Sequence, residues 1–131
     1  MISYIHSAVA RTLLQIGNNN ENRKIMNNEM LLEKLAACIA ACNHCADACL
    51  EEENVHHMIN CIRTDRVCAA VCTAVHQVAA TQYTNMVDLL EVCVRICEEC
   101  AAECEKHEHL HCQECARACR ECAEACRSFM N

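Results

Sequence analysis

Sixteen of the 131 residues are cysteine, and their spacing is regular. Cys38, Cys42, Cys45 and Cys49 follow a C-x3-C-x2-C-x3-C pattern, and Cys93, Cys97, Cys100 and Cys104 repeat it. Cys112, Cys115, Cys119, Cys122 and Cys126 extend the same alternation by one step. A fourth group, Cys61, Cys68 and Cys72, carries Asp65 where the rhythm would place another thiol. Thiols in such numbers can form disulfides, hold iron–sulfur clusters, or ligate zinc or monovalent copper. The elements that carry them decide which.

The chain has one Gly, no Pro, no Trp and only three aromatic residues, Tyr4, Tyr83 and Phe129. Signals for strands and tight turns are therefore almost absent, and the helix formers Ala, Leu, Glu, Arg and Lys dominate. The fold class expected is all-α. Ile2, Ile5, Val9, Leu13 and Ile16 mark a first helix ending at Gly17, and NNNEN at 18–22 reads as a connector. Residues 1–24 then form an N-terminal helix and connector, and 25–131 a Cys-rich bundle, together one domain. Within the bundle, helices are expected to begin near 25–29 and end near Glu52, then to span about 54–80, 85–106 and 109–129. Polar clusters at 51–54, 81–85 and 106–111 separate them. Alternating steps of three and four keep residues on one helical face, so each of the four helices carries a seam of thiols. Short connections make the bundle antiparallel, and all sixteen thiols converge on its core. Ala and charged residues, such as Glu114, Arg117, Glu121 and Glu124, occupy the other faces.

A disulfide scaffold needs an oxidising compartment and a loop-rich fold. The N-terminus has no basic n-region, and His6 and Arg11 interrupt its apolar residues, so it does not read as a signal peptide. The apolar stretches, such as 35–42, fall short of a membrane span. A reducing cytosol is the expected setting. Iron–sulfur ligation draws on loops that wrap a compact cluster, not on helix-length seams. Between the remaining metals, charge decides. Zinc on four thiolates leaves a net negative site, and several stacked in a dry core would be costly. One Cu(I) per thiolate leaves the core near neutral. Many Cu(I) ions along a thiol-lined tube is therefore the favoured reading, with storage or detoxification of zinc or another soft metal the alternative. The formal charge of −7, with 11 basic and 18 acidic residues interleaved, argues against a nucleic-acid partner.

The tube has unlike ends. One collects His56, His57, Met58, His107, His109 and His111. The other collects Met30, Leu31, Leu35, Val75, Met86, Leu89, Leu90, Phe129 and Met130, an apolar plug. Metal is expected to pass through the His-rich end. His57, His107 and His109 align with the thiol seams at steps of three or four and are favoured as donors there, with His111 beside them. His44 and His76 read as structural, and His6 is uninformative. Met58 is the thioether candidate. Asp65 is either an oxygen donor to metal or the partner of Arg63 or Arg66. Glu53–His56 and Glu108–His111 spell E-x-x-H, as in carboxylate-bridged di-iron bundles. Both fall in or beside connections, and no further inward carboxylate pair accompanies them. No nucleophile–base pair or phosphate loop is evident, so the chain does not read as an enzyme.

The repeats, together with CIRTDRVCAAVC (61–72), CEKHEHLHCQECARAC (104–119) and CRECAEACRS (119–128), resemble the cytosolic bacterial copper storage proteins over about residues 35–128. The resemblance implies a four-helix bundle binding many Cu(I) ions, a homotetramer, and passage of metal at a His-bearing end. It makes all sixteen cysteines ligands, gives the histidines of 107–111 to the entrance, and places a polar residue near copper at the Asp65 position. Residues 1–17 lie outside it.

Overall fold

The computed structural model describes the main chain of residues 2–131 and the side chains of residues 19–131. Four helices carry the chain: α1 (Ile2–Cys49), α2 (Ile59–Ala79), α3 (Val87–Cys104) and α4 (Leu110–Met130), with a 3-10 turn at Val55–Met58 between α1 and α2. No strand occurs among the described residues.

The separate N-terminal helix and the connector at 18–22 are corrected by this arrangement, because α1 runs without a break from Ile2 to Cys49. A single Gly inside a helix costs only about 1 kcal/mol. With no Pro to remove an N–H and no second Gly beside it, Gly17 and the asparagines after it do not stop the helix. The apolar side chains from Ile2 to Ile16, and His6, lie outside the described side chains. The other three breaks fall where the polar clusters place them.

Those breaks are built without Gly or Pro. Asn54 caps the 3-10 turn by accepting the His57 N–H at 3.3 Å on Oδ1, the usual role of a short polar side chain at a helix start. After α2, the Thr81 hydroxyl donates to the Val78 carbonyl at 2.7 Å and accepts from the Tyr83 N–H at 3.1 Å. This local hydrogen bonding gives the backbone an alternative to continuing the helix.

The helices form a closed square in which α1 packs on α2 and α4, and α3 packs on α2 and α4. Every adjacent pair is antiparallel. Cys45 meets Cys61 and Cys38 meets Cys72 across α1 and α2, while Cys61 meets Cys104 and Cys72 meets Cys93 across α2 and α3. Cys45–Cys112 and Cys38–Cys119 give the same sense to α1 and α4. Buried Ala46, Ala69, Ala101, Ala116 and Ala123 flank the seams and let the backbones approach closely around a core of small thiols. Exposed ion pairs stitch the outside: Lys34–Glu121 at 3.2 Å, Arg120–Glu105 at 3.0 Å, and Glu98–Arg127. Such pairs are worth about 0–1 kcal/mol each, so burial, not surface charge, holds the bundle. Among the described residues no helix is long and apolar enough to cross a membrane.

Candidate metal centre

All sixteen cysteines are free, and each is 0% exposed. They occupy one continuous axis, because each seam faces the same interior and the four helices are in register. Neighbouring sulfurs are 3.6–4.0 Å apart both along helices, as in Cys68–Cys72 and Cys93–Cys97, and between them, as in Cys61–Cys104 and Cys68–Cys97. Quartets follow one another down the axis. Cys45, Cys49, Cys61 and Cys112 lie nearest the His-rich end, then Cys42, Cys100, Cys115 and Cys119, then Cys38, Cys72, Cys97 and Cys122; Cys38, Cys42, Cys68 and Cys119 link the last two by sharing members with each. In every quartet the four sulfurs lie within 4.8 Å of one another. A metal–sulfur bond of about 2.3 Å in tetrahedral geometry sets sulfurs about 3.8 Å apart, so spacing alone admits zinc as readily as copper. Charge does not: a column of divalent tetrathiolates would leave the dry core heavily negative.

Burial is the common electrostatic theme. It is the leading cause that raises the Cys49 and Cys112 thiols above the usual range, with the charge of Cys45 next. Cys45 itself is lowered to about 5, chiefly by hydrogen bonding with Cys104, against an opposing pull from Cys115 and with help from Cys61 and His111. A low-pKa thiol next to the His-rich end is the form that ligates metal.

Asp65 is fully buried on the thiol axis. Its Oδ1 accepts from the thiols of Cys100 at 3.2 Å, Cys115 at 3.3 Å and Cys104 at 3.4 Å, and its Oδ2 from Cys61 at 3.8 Å. Burial, then the charges of Cys115 and Cys100, pushes its carboxyl up to about 12. The pairing with Arg63 or Arg66 is not formed: Arg63 donates to Asn60 at 3.3 Å, and Arg66 is exposed. Oxygen among thiols is the surviving reading, and it satisfies the carboxyl without a cation.

The His-rich end is ordered differently from the seam argument. His107 is buried, 6% exposed; it contacts Glu103 at 3.3 Å and stands edge-on to His57 at 5.5 Å between ring centres. His57 is exposed, and the His109 side chain is 42% exposed. The imidazole that reaches the thiols is His111, whose Nδ1 lies 3.4 Å from Cys45 Sγ and 3.5 Å from Cys112 Sγ. Two local facts explain the reversal. His109 is the N-cap of α4 with an extended backbone, φ −61° and ψ 139°, so helical phase does not govern its side chain. His111 sits in the first turn, where side chains lean toward the helix N-terminus, here the rim of the tube.

Glu52 was not foreseen. It ties the turn after α1 to the start of α4 at the His-rich end, its Oε1 lying 2.9 Å from His111 Nε2 and 3.4 Å from His109 Nδ1. The two imidazoles stack at 5.3 Å with planes 3° apart. Burial works against a charge on His111, but hydrogen bonds to Cys45 and Glu52 outweigh it and leave the imidazole above its ordinary range. Met58 is buried under this rim, 1% exposed, while His56 is exposed in the turn. The E-x-x-H pairs do not form a site: Glu53 and Glu108 are exposed, and His111 pairs with Glu52 instead. The opposite end is closed by Leu31, Leu35, Val75, Met86 and Leu90, all buried, with Phe129 and Met130 packed against them. Met30 and Leu89, expected in that plug, are exposed, 54% and 39%.

The sequence profile of the copper storage proteins (Csp) matches residues 24–131. The chain belongs to the copper storage protein family. Similar in sequence is the uncharacterised cysteine-rich protein YhjQ of Bacillus subtilis, 46% identical over 101 residues, or 77% of this chain and 94% of that one. Among solved members, the Cu(I)-bound copper storage protein BsCsp3 is 45% identical with a TM-score of 0.76, covering 80% of this chain and 99% of its own. A cytosolic copper storage protein from Streptomyces lividans, loaded with five coppers, is 38% identical with a TM-score of 0.79, over 83% and 96% of the two chains. The family match begins within α1, so the part of that helix before residue 24 is extra to it.

Proposed function

We infer that this protein is a Cu(I) store, holding many ions per chain on its core thiolates. The observation that carries the reading is the unbroken axis of sixteen fully buried free thiols. Monovalent metal is the cargo that such a core accommodates without accumulating charge. In this reading every cysteine from Cys38 to Cys126 is a ligand, and Asp65 supplies an oxygen within the column. His111, with His57, His107 and His109 around it and Met58 beneath, forms the mouth through which copper passes. The work is binding and release, with no turnover of substrate. The cytosolic setting of the Streptomyces lividans relative supports a cytoplasmic location. The homotetramer implied by the sequence resemblance belongs to the same reading, and exposed Val67, Val92 and Leu110 offer apolar surface that association would cover.

Anaerobic titration of the reduced chain with Cu(I) against a competing chelator, with Zn(II) in parallel, tests it. The expected result is a Cu(I) capacity well above what a few discrete tetrathiolate sites provide. A capacity of only about one to four ions per chain, or zinc outcompeting Cu(I), would overturn the filled-tube reading in favour of a zinc or soft-metal binder. Light scattering checks the tetramer.

A further inference from the structure

We propose that Glu52 is the positioning residue of the mouth, fixing the tautomer and orientation of His111 so that its Nδ1 lone pair faces Cys45 and Cys112. The inference rests on the reading of the His-rich end as the way in for copper. Its basis is a chain of three contacts. Glu52 Oε1 lies 2.9 Å from His111 Nε2, and a carboxylate can only accept there, so the proton of the neutral ring sits on Nε2. The opposite nitrogen, Nδ1, is then unprotonated, and it stands 3.4 Å from Cys45 Sγ and 3.5 Å from Cys112 Sγ. Without an acceptor at Nε2 the neutral imidazole would divide between two tautomers, one of which turns an N–H toward the metal path. Carboxylate–histidine pairs fix metal-binding imidazoles in this manner, and losing the carboxylate commonly costs about 10–100-fold in affinity or activity.

Glu52 is suited to the task by where it sits. It lies in the turn just beyond α1, while His109 and His111 belong to the start of α4, 59 residues from Glu52 in the case of His111. The same oxygen also meets His109 Nδ1 at 3.4 Å, and the two rings stack. One carboxylate thus clamps a pair of imidazoles as a single plate over one side of the mouth. The adjacent Glu51 and Glu53 are exposed and bring similar charge to the rim. Glu53 therefore serves as the control for a general attraction of cations.

The test combines uptake kinetics with tautomer-sensitive nitrogen NMR on the full-length reduced chain, using Cu(I) delivered from a chelator. Glu52→Ala is expected to slow uptake about tenfold while leaving the final capacity unchanged. Glu52→Gln, whose side-chain oxygen still accepts from Nε2, should recover most of the rate, and Glu53→Gln should match wild type. At alkaline pH, where the ring is neutral, His111 should be the Nε2–H tautomer in the wild type and a mixture in Glu52→Ala. Slowed uptake with an unchanged tautomer, or slowing in Glu52→Gln and Glu53→Gln as large as that in Glu52→Ala, would overturn positioning in favour of simple charge. Wild-type uptake in Glu52→Ala while His111→Ala is slow would overturn the proposal and leave the mouth intact. Wild-type uptake in His111→Ala would overturn the mouth itself, and the proposal with it.

Discussion

A carboxyl group among thiols is the most exposed commitment that a single side chain makes in this protein. Asp65 is fully buried, faces four thiols, and has its carboxyl pushed up to about 12 against an ordinary 3.8. Between those values it is protonated in the folded apoprotein and ionised in the unfolded chain, so unfolding releases a proton. Its contribution therefore falls as pH rises through that window, with a slope of at most ~1.4 kcal/mol per pH unit. Asp65→Asn removes the titration while keeping the shape. The apo variant is expected to be more stable than wild type at neutral pH and to show a flatter pH dependence below the range where the thiols ionise. Chemical denaturation of the reduced apoprotein at several pH values checks this, and identical pH profiles would contradict it. Asp65 was legible as a member of the seam because helical phase is a local property of the sequence. Its partners were not, since they come from α2, α3 and α4 together. The same limit explains the histidines: phase selected His57, His107 and His109, yet the rim geometry at the start of α4 brings His111 to the thiols. Glu52 escaped notice because its two imidazole partners are remote in sequence.

At the scale of the helices, the design separates the part that binds from the part that holds. The thiol seams contribute small side chains, whereas the large apolar ones gather at one end: Leu31, Leu35, Val75, Met86 and Leu90. Leu35→Ala is expected to cost the reduced apoprotein about 2–5 kcal/mol and to leave Cu(I) capacity at the wild-type value, provided titration is done where the variant is folded. Urea unfolding followed by chelator-competed titration measures both. A fall in capacity parallel to the loss of stability would show that plug and store are not separable. Three of the helix breaks were readable from polar clusters, because a bundle must expose its connections. The break at Gly17 was misread, since glycine ends a helix only when the chain beyond it has somewhere better to go. Nothing in NNNEN supplies that, and α1 continues.

For the molecule as a whole, the closed square of antiparallel helices turns four local repeats into one site. That much followed from spacing and from short connections, because seams on neighbouring helices have nowhere else to face. What spacing did not settle was the metal. Sulfurs 3.6–4.0 Å apart suit zinc and copper alike, and the choice rests on summed charge along the axis together with membership of the copper storage family. The S···S contacts also show why the chain can wait without cargo. Thiol meets thiol down the whole length, and among the described residues no buried side-chain nitrogen or oxygen lacks a hydrogen-bond partner.

The apolar plug has a consequence for order in time. A channel open at both ends would be a queue, in which the first ion admitted is the first to leave. A channel sealed by Leu31, Leu35 and Leu90 at one end is a stack, and the last ion admitted leaves first. Loading half the capacity with one copper isotope and the remainder with another, then withdrawing copper with a chelator, should release the second isotope ahead of the first. Equal release of both would mean that ions shuffle between quartets faster than they depart. Under the stack ordering the protein keeps a fast fraction near its mouth for exchange and a slow fraction in its depths as reserve.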